Sequence, residues 1–202
     1  MNHPTAPVSP QPATSLSPGP PPDVVPVSPG HPTAAARIGP ADVAEWIVLR
    51  LPMDDPRVTP LIEGLTIEYD TRYGSMYGGA SEEMRRYPAE EFAAPHGALL
   101  IVQERGQSVA GGAYRQYDRH TAELKRIWTH QEHRRRGLAR FVLTHLEAEA
   151  IRNGYRRLYL TTGPRQPEAK HLYLATGYQA GFDLDADPES ITHLAFTKHL
   201  LA

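Results

Sequence analysis

The chain has 202 residues, which suggests one domain or at most two, and 40% of them are apolar, enough to fill a core. A formal net charge of −2 gives the whole chain no electrostatic case for nucleic acid or an anionic membrane. Cysteine is absent, which excludes disulfides, thiolate metal ligands and a cysteine nucleophile and fits a reducing cytoplasm. No apolar run approaches the roughly 18 residues of a spanning helix. The first residues lack the basic start and apolar stretch of a signal peptide, so a cytoplasmic location is expected.

Twelve of the 20 prolines fall in residues 1–40, where Asp23 and Arg37 are the only acidic and basic side chains apart from histidine. Proline removes amide donors and little large apolar surface is present, so this stretch is expected to be a disordered tail; a proline-binding partner for Pro18 to Pro22 is the other reading. The folded part is expected over 41–202. Glu45–Leu51 reads as a strand. Asp54–Tyr73 reads as a helix, with Asp54 or Asp55 as cap, Pro56 in the first turn, and Leu61, Leu65 and Tyr69 four apart. Ser81 with Glu82 and Glu83 starts a short helix that must end near Pro88.

Ala98–Glu104 and Ser108–Tyr117 read as strands joined by a hairpin turn, and Thr121–His130 as a fourth strand. Gly137–Asn153 reads as a helix, since Leu138, Val142, Leu146 and Ala150 repeat every fourth residue and Asn153-Gly154 offers a left-handed stop. Arg157–Thr162 is a fifth strand, Pro167–Thr176 a helix, and Tyr178–Leu184 and His193–His199 the last strands. The order implies a mixed α/β sheet.

Between the fourth strand and its helix lies Arg134-Arg-Arg-Gly-Leu-Ala-Arg140. A glycine-containing turn that opens a helix aims several backbone N–H groups at one point, where the helix dipole adds positive potential. Gly137 permits close approach, Ala139 keeps the helix start small, and the arginines add charge-assisted hydrogen bonds. These features suit a diphosphate. A solvated basic helix start and a nucleic-acid patch are the competing readings, the latter without a basic stripe or interleaved aromatics elsewhere.

Arg134-x-x-Gly137-x-Ala139 matches the Q/R-x-x-G-x-G/A turn of the GNAT superfamily of N-acetyltransferases. Glu123-Leu-Lys-Arg-Ile-Trp-Thr-His130 resembles that family's fourth strand, and Gln166-Pro-Glu-Ala169-Lys-His-Leu-Tyr173-Leu-Ala-Thr-Gly177-Tyr178 resembles its N-x-x-A-x-x-x-Y-x-x-x-G-F/Y segment. Phe196-Thr-Lys198-His-Leu200 is similar to its last strand. Gln166 stands where the family has Asn, and Thr129 where it often has Val. The resemblance implies a mostly antiparallel seven-stranded sheet with about four helices, splayed between the fourth and fifth strands. It implies acetyl-CoA as cofactor. The backbone of Trp128, Thr129 and His130 would pair with the pantetheine arm, and amides of Arg135, Arg136, Gly137, Leu138, Ala139 and Arg140 would hold the pyrophosphate. Arg134, Gln166, Ala169 and Tyr173 complete that expected cofactor set.

Transfer to an amine requires removal of an ammonium proton and delivery of a proton to the departing thiolate. Tyr173 shares a helix face with Ala169 and matches the family's tyrosine, so it is the expected general acid; a core tyrosine is the alternative. Glu123, eleven residues before Arg134, matches the spacing of the family's glutamate base; an ion pair with Lys125 is the alternative. His120 and His130 are weaker base candidates, and His130 with His133 does not form a helical metal pair, so no metal is expected.

The resemblance places the acceptor between the early helices and the splayed strands. Glu68, Tyr69, Asp70, Tyr73 and Tyr77 lie there, able to hold a cation by pairing and cation–π contact, as do Thr161 and Thr162 at the end of the fifth strand. A small amine or amino-acid-like acceptor is expected. A protein or peptide acceptor, or a non-catalytic acyl-CoA-binding module, is the alternative. A homodimer is compatible with the sequence, which does not decide it.

Overall fold

The computed structural model describes residues 45–74 and 84–200. The Pro-rich stretch 1–40, Tyr77 and the start of the helix expected at Ser81 lie outside the described residues; Met84 and Arg85 are helical. The strands are β1 Trp46–Arg50, β2 Ala98–Glu104, β3 Gln107–Gln116, β4 Thr121–Thr129, β5 Arg157–Thr162, β6 Gln179–Ala180 and β7 Leu194–His199. The helices are α1 Thr59–Tyr73, α2 Leu138–Arg152 and α3 Pro167–Ala175. The sheet runs β1-β2-β3-β4-β5-β7-β6. Every neighbouring pair is antiparallel except β4 with β5.

Local chemistry fixes the ends of these elements. The Asp55 carboxylate accepts from the Arg57 N–H at 2.9 Å and starts the 3-10 turn Pro56–Val58 that leads into α1. Arg105 and Gly106 both have positive φ, 51° and 80°, which gives the β2–β3 hairpin a two-residue turn matched to strand twist. Gly154, with φ 84°, ends α2, and the Tyr155 N–H closes on the Ala150 carbonyl at 3.0 Å.

The apolar run of β2 is buried on both faces. Leu99 and Ile101 pack with Leu61 and Leu65 of α1, and Leu100 and Val102 pack with Val142 and Leu146 of α2. Two adjacent glycines of β3 let these helices approach. A Cβ on Gly111 would meet Leu61 Cδ1 of α1 at 2.7 Å, and one on Gly112 would meet Leu146 Cδ1 and Val142 Cγ1 of α2 at 3.0 and 3.1 Å.

The expected strand over Tyr178–Leu184 shrinks to Gln179–Ala180. The chain leaves the sheet after the Gly181 N–H bonds the Ala195 carbonyl, and the Asp183 carboxylate then caps the Asp185 N–H at 3.0 Å, turning the backbone away.

β4 and β5 define the functional cleft. They pair over only three positions, Thr121–Glu123 against Arg157–Tyr159. Beyond Glu123 the β5-facing edge of β4 has no strand partner among the described residues. A bulge falls at that point. Ala113 faces Lys125 but Gly111 faces Trp128, so β4 carries one extra residue, and Arg126 takes φ 60°. The bulge inverts the alternation. Ala122, Leu124 and Ile127 face α2, whereas Trp128 joins the core under α1.

Candidate active site

Two chambers meet in the wedge between β4 and β5. The first, about 410 Å³, lies between the end of β4, the arginine-rich turn and α3. Of the expected cofactor residues, Trp128, Thr129, Arg134, Arg135, Gly137, Leu138, Ala139, Arg140, Gln166, Ala169 and Tyr173 line it. Arg135 at φ 62° and Gly137 at φ 83° bend the turn, and Gly137 passes directly into α2. The hydroxyl oxygen of Thr129 is buried and has no hydrogen-bond partner among the described residues.

Two expected cofactor residues point elsewhere. Arg136 turns out of the chamber and grips Glu104. His130 is held by its N–H on the Val109 carbonyl at 2.9 Å, while its Nδ1 accepts from the Glu132 N–H at 3.3 Å.

A belt of ion pairs crosses the mouth of this chamber. Arg134 Nη2 donates to Glu68 at 2.8 Å, Glu68 pairs with Arg72 at 3.1 Å, and Arg72 continues to Glu168. Glu68, expected near an acceptor cation, is therefore committed to Arg134 of the turn and Arg72 of its own helix.

The second chamber, about 120 Å³, lies under α1. Tyr69, Tyr73, Thr161 and Thr162 line it, as expected; Asp70 does not. Tyr73 also has a packing role, because its hydroxyl accepts from the Arg165 N–H at 3.2 Å and sits where a Cβ on Gly163 would fall, 2.0 Å away. Ile127, Gln166, Ala169 and Tyr173 belong to both chambers and form the wall between them. Gln166 Oε1 accepts from the Thr162 hydroxyl at 2.7 Å, so this longer substitute for Asn ties α3 to the end of β5.

Tyr173 is 6% exposed, its ring between Tyr178 and Phe196 at 5.5 and 5.4 Å. Its hydroxyl has no hydrogen-bond partner among the described residues. Burial pushes the phenol above its ordinary value, so it stays protonated throughout the neutral range.

Glu123 is 4% exposed and lines neither chamber. Its oxygens meet Arg115 Nε at 2.8 Å and Lys125 Nζ at 2.9 Å, which realises the ion-pair reading of the sequence. His193, Lys125, Arg126, Met84 and Tyr87 line the second chamber without having been expected there. For Arg126 a signal existed: Lys125-Arg126 puts two charges on successive strand positions, which strict alternation does not allow. His193 gave none, because its placement follows from the pairing of β7.

A sequence profile of the acetyltransferase (GNAT) family matches residues 65–178, more than half of the chain, and the protein belongs to that family. It is 37% identical over 92 residues to the uncharacterized N-acetyltransferase YsnE of Bacillus subtilis (strain 168). That match spans 43% of this chain and 61% of YsnE, less than two thirds of the relative's length. Among solved structures, a GNAT-family acetyltransferase from Staphylococcus aureus MU50 superposes with a TM-score of 0.63 at 11% identity, over 77% of this chain and 99% of that one. The protein yncA from Salmonella typhimurium, solved with its cofactor acetyl-CoA, gives 0.55 at 16% identity, over 77% and 94%. At these identities the structures establish the shared fold. No helix among the described residues is long and apolar enough to cross a membrane.

Proposed function

We propose that this protein transfers the acetyl group of acetyl-CoA directly to a primary amine on a small or amino-acid-like molecule. The observation that carries the reading is Tyr173, which stands on the wall shared by the chamber of the arginine-rich turn and a second, smaller chamber, and whose hydroxyl has no hydrogen-bond partner among the described residues.

The residues present fit acetyl-CoA. The orphaned Thr129 hydroxyl and the unpartnered edge of β4 suit an amide-bearing arm, and the turn's N–H groups with Arg135 and Arg140 suit its diphosphate. When bound, acetyl-CoA supplies an acetyl thioester as the electrophile. Tyr173 Oη holds a proton for the departing sulfur, and its phenolate recovers the proton that the new amide nitrogen sheds. The tight α1-side chamber, about 120 Å³, supports a small acceptor over a folded protein surface.

The test is CoA-thiol release from acetyl-CoA with a panel of amino acids, aliphatic diamines and arylalkylamines. Turnover with at least one member is expected. Calorimetric binding of acetyl-CoA without thiol release from any amine would instead make the chain a binding module.

A further inference from the structure

The reaction needs a group to take the first proton from the acceptor ammonium. Glu123 is poorly placed for it, since both carboxylate oxygens are engaged by cations and neither chamber includes it. The chemistry therefore turns on what faces the α1-side chamber. From α1 come the phenols of Tyr69 and Tyr73, and from α3 that of Tyr173. The stretch before Pro88 brings Arg86 and Tyr87, and β4 brings Lys125 and Arg126. Phenols, amines and guanidines titrate at about 10 or above, and no carboxylate is present among the described lining residues. One lining side chain is of a type that exchanges a proton near neutrality, and it is His193.

Its position is built. Leu194, the next residue, is 1% exposed and registers opposite Thr162, which sets His193 level with the Thr162–Gly163 end of β5. The loop before it is pinned at Asp187–Glu189. Asp187 caps the Glu189 N–H at 3.0 Å, and the Glu189 carboxylate pairs with Arg165 Nε at 3.0 Å. Arg165 belongs to the same β5–α3 loop that Tyr73 clamps from α1. The backbone that carries His193, an exposed residue at the rim, is thus attached to the frame that shapes the chamber.

We propose that His193 is the general base that deprotonates the acceptor amine. The inference rests on the acetyl-transfer reading above. One ammonium N–H bond breaks, its electron pair stays on nitrogen for the attack, and the proton passes to a ring nitrogen of His193 and on to solvent. His193 and Tyr173 then serve opposite ends of the transfer from one chamber: the first receives a proton, the second donates one.

The experiment is the pH profile of kcat/KM for the best amine of the panel, in the wild type, His193→Gln, His193→Asn and Glu123→Gln. Thermal melts and calorimetric acetyl-CoA titrations accompany each. Both histidine variants are expected to bind acetyl-CoA within about twofold of the wild type, to lose about 100-fold or more in kcat/KM at pH 7, and to lose the acid limb. Glu123→Gln is expected to melt earlier and keep the limb. Added imidazole should restore part of the activity of His193→Ala. A normal acid limb in folded His193→Gln and His193→Asn overturns the inference while leaving acetyl transfer standing. A panel without an active amine overturns both.

Discussion

Glu104 at the end of β2 and Arg136 in the turn before α2 form a fork: the guanidinium donates to both carboxylate oxygens, at 2.6 and 2.9 Å. Trp46 Nε1 adds a third bond to the same carboxylate at 3.1 Å, and His133 Nδ1 lies 3.2 Å away. The arginine-rich turn is thereby nailed to the second strand of the sheet. Of the run Arg134-Arg-Arg136, the third residue sets the shape of the turn, and the chamber receives the first two.

Glu104→Gln keeps the size of the side chain and removes the charge that the fork needs. The Arg136 end of the fork is more than a third exposed, so solvent screening limits the effect and a small loss of stability is expected. Acetyl-CoA binding should weaken about tenfold, that is, by about 1.4 kcal/mol, through loosened amides. The maximal rate with saturating acetyl-CoA should change little, because the fork touches neither chamber's reacting end. Chemical denaturation, calorimetry and a KM-against-kcat comparison read the three effects.

The same pair gives an acid sensitivity with a defined sign. Arg136, against the opposing effect of burial, holds the Glu104 carboxyl down at about 2, below its ordinary 4.5. A carboxyl depressed in the folded state contributes its full stability above the unfolded value and loses it as pH falls through the folded one. Tm should therefore fall between pH 4.5 and 2, and in Glu104→Gln that part of the fall should be missing. Melts at half-unit intervals of pH, in wild type and variant, make the comparison.

Gly137 sits at φ 83°, and a Cβ there would meet nothing within 4 Å. Any cost of Gly137→Ala is therefore backbone strain, about 1–2 kcal/mol, with binding partly retained. Gly137→Glu adds a carboxylate beside the amides and arginines to which the proposed function assigns the diphosphate. Loss of detectable acetyl-CoA heat in a protein that still folds is expected of the glutamate variant alone.

Tyr173→Phe removes a hydroxyl with no partner, so melting temperature should change little. Acetyl-CoA affinity should stay within a few-fold, while kcat falls about 100-fold, the scale of a lost general acid. A large drop in stability would make the ring's contacts with Tyr178 and Phe196 the reason for this residue.

How far these features could be read beforehand follows from their range in the chain. α2 was legible because its apolar residues fall four apart and Gly137 and Gly154 bracket it, all local signals. The splay of β4 from β5 came with the family resemblance, whereas the expectation of a diphosphate at the turn was read locally from Gly137, Ala139 and the arginines. What stayed hidden depends on distant pairing. The fork joins residues 32 apart, β7 delivers His193 to a chamber built by α1 and β4, and Arg115 reaches Glu123 through the register of β3 with β4. The bulge at Arg126 lay between: its two successive charges were visible, but not that the extra residue would turn Trp128 to the α1 side.

Thr129 separates the needs of the empty fold from those of the bound one. Its hydroxyl is buried without a partner, a state that costs about 1–3 kcal/mol relative to a satisfied group. Valine has nearly the same shape, suits a strand, and carries no polar atom to leave unpaired. Thr129→Val should therefore raise the stability of the free protein, by about 1 kcal/mol. If the hydroxyl serves an amide of the acetyl-CoA arm, the same change should weaken acetyl-CoA binding several-fold and shrink the rise in Tm that saturating acetyl-CoA produces. Opposite signs for the two measurements distinguish a binding contact from a packing defect. A stabilised variant with unchanged affinity would remove Thr129 from the cofactor set and leave its hydroxyl a plain cost to the fold.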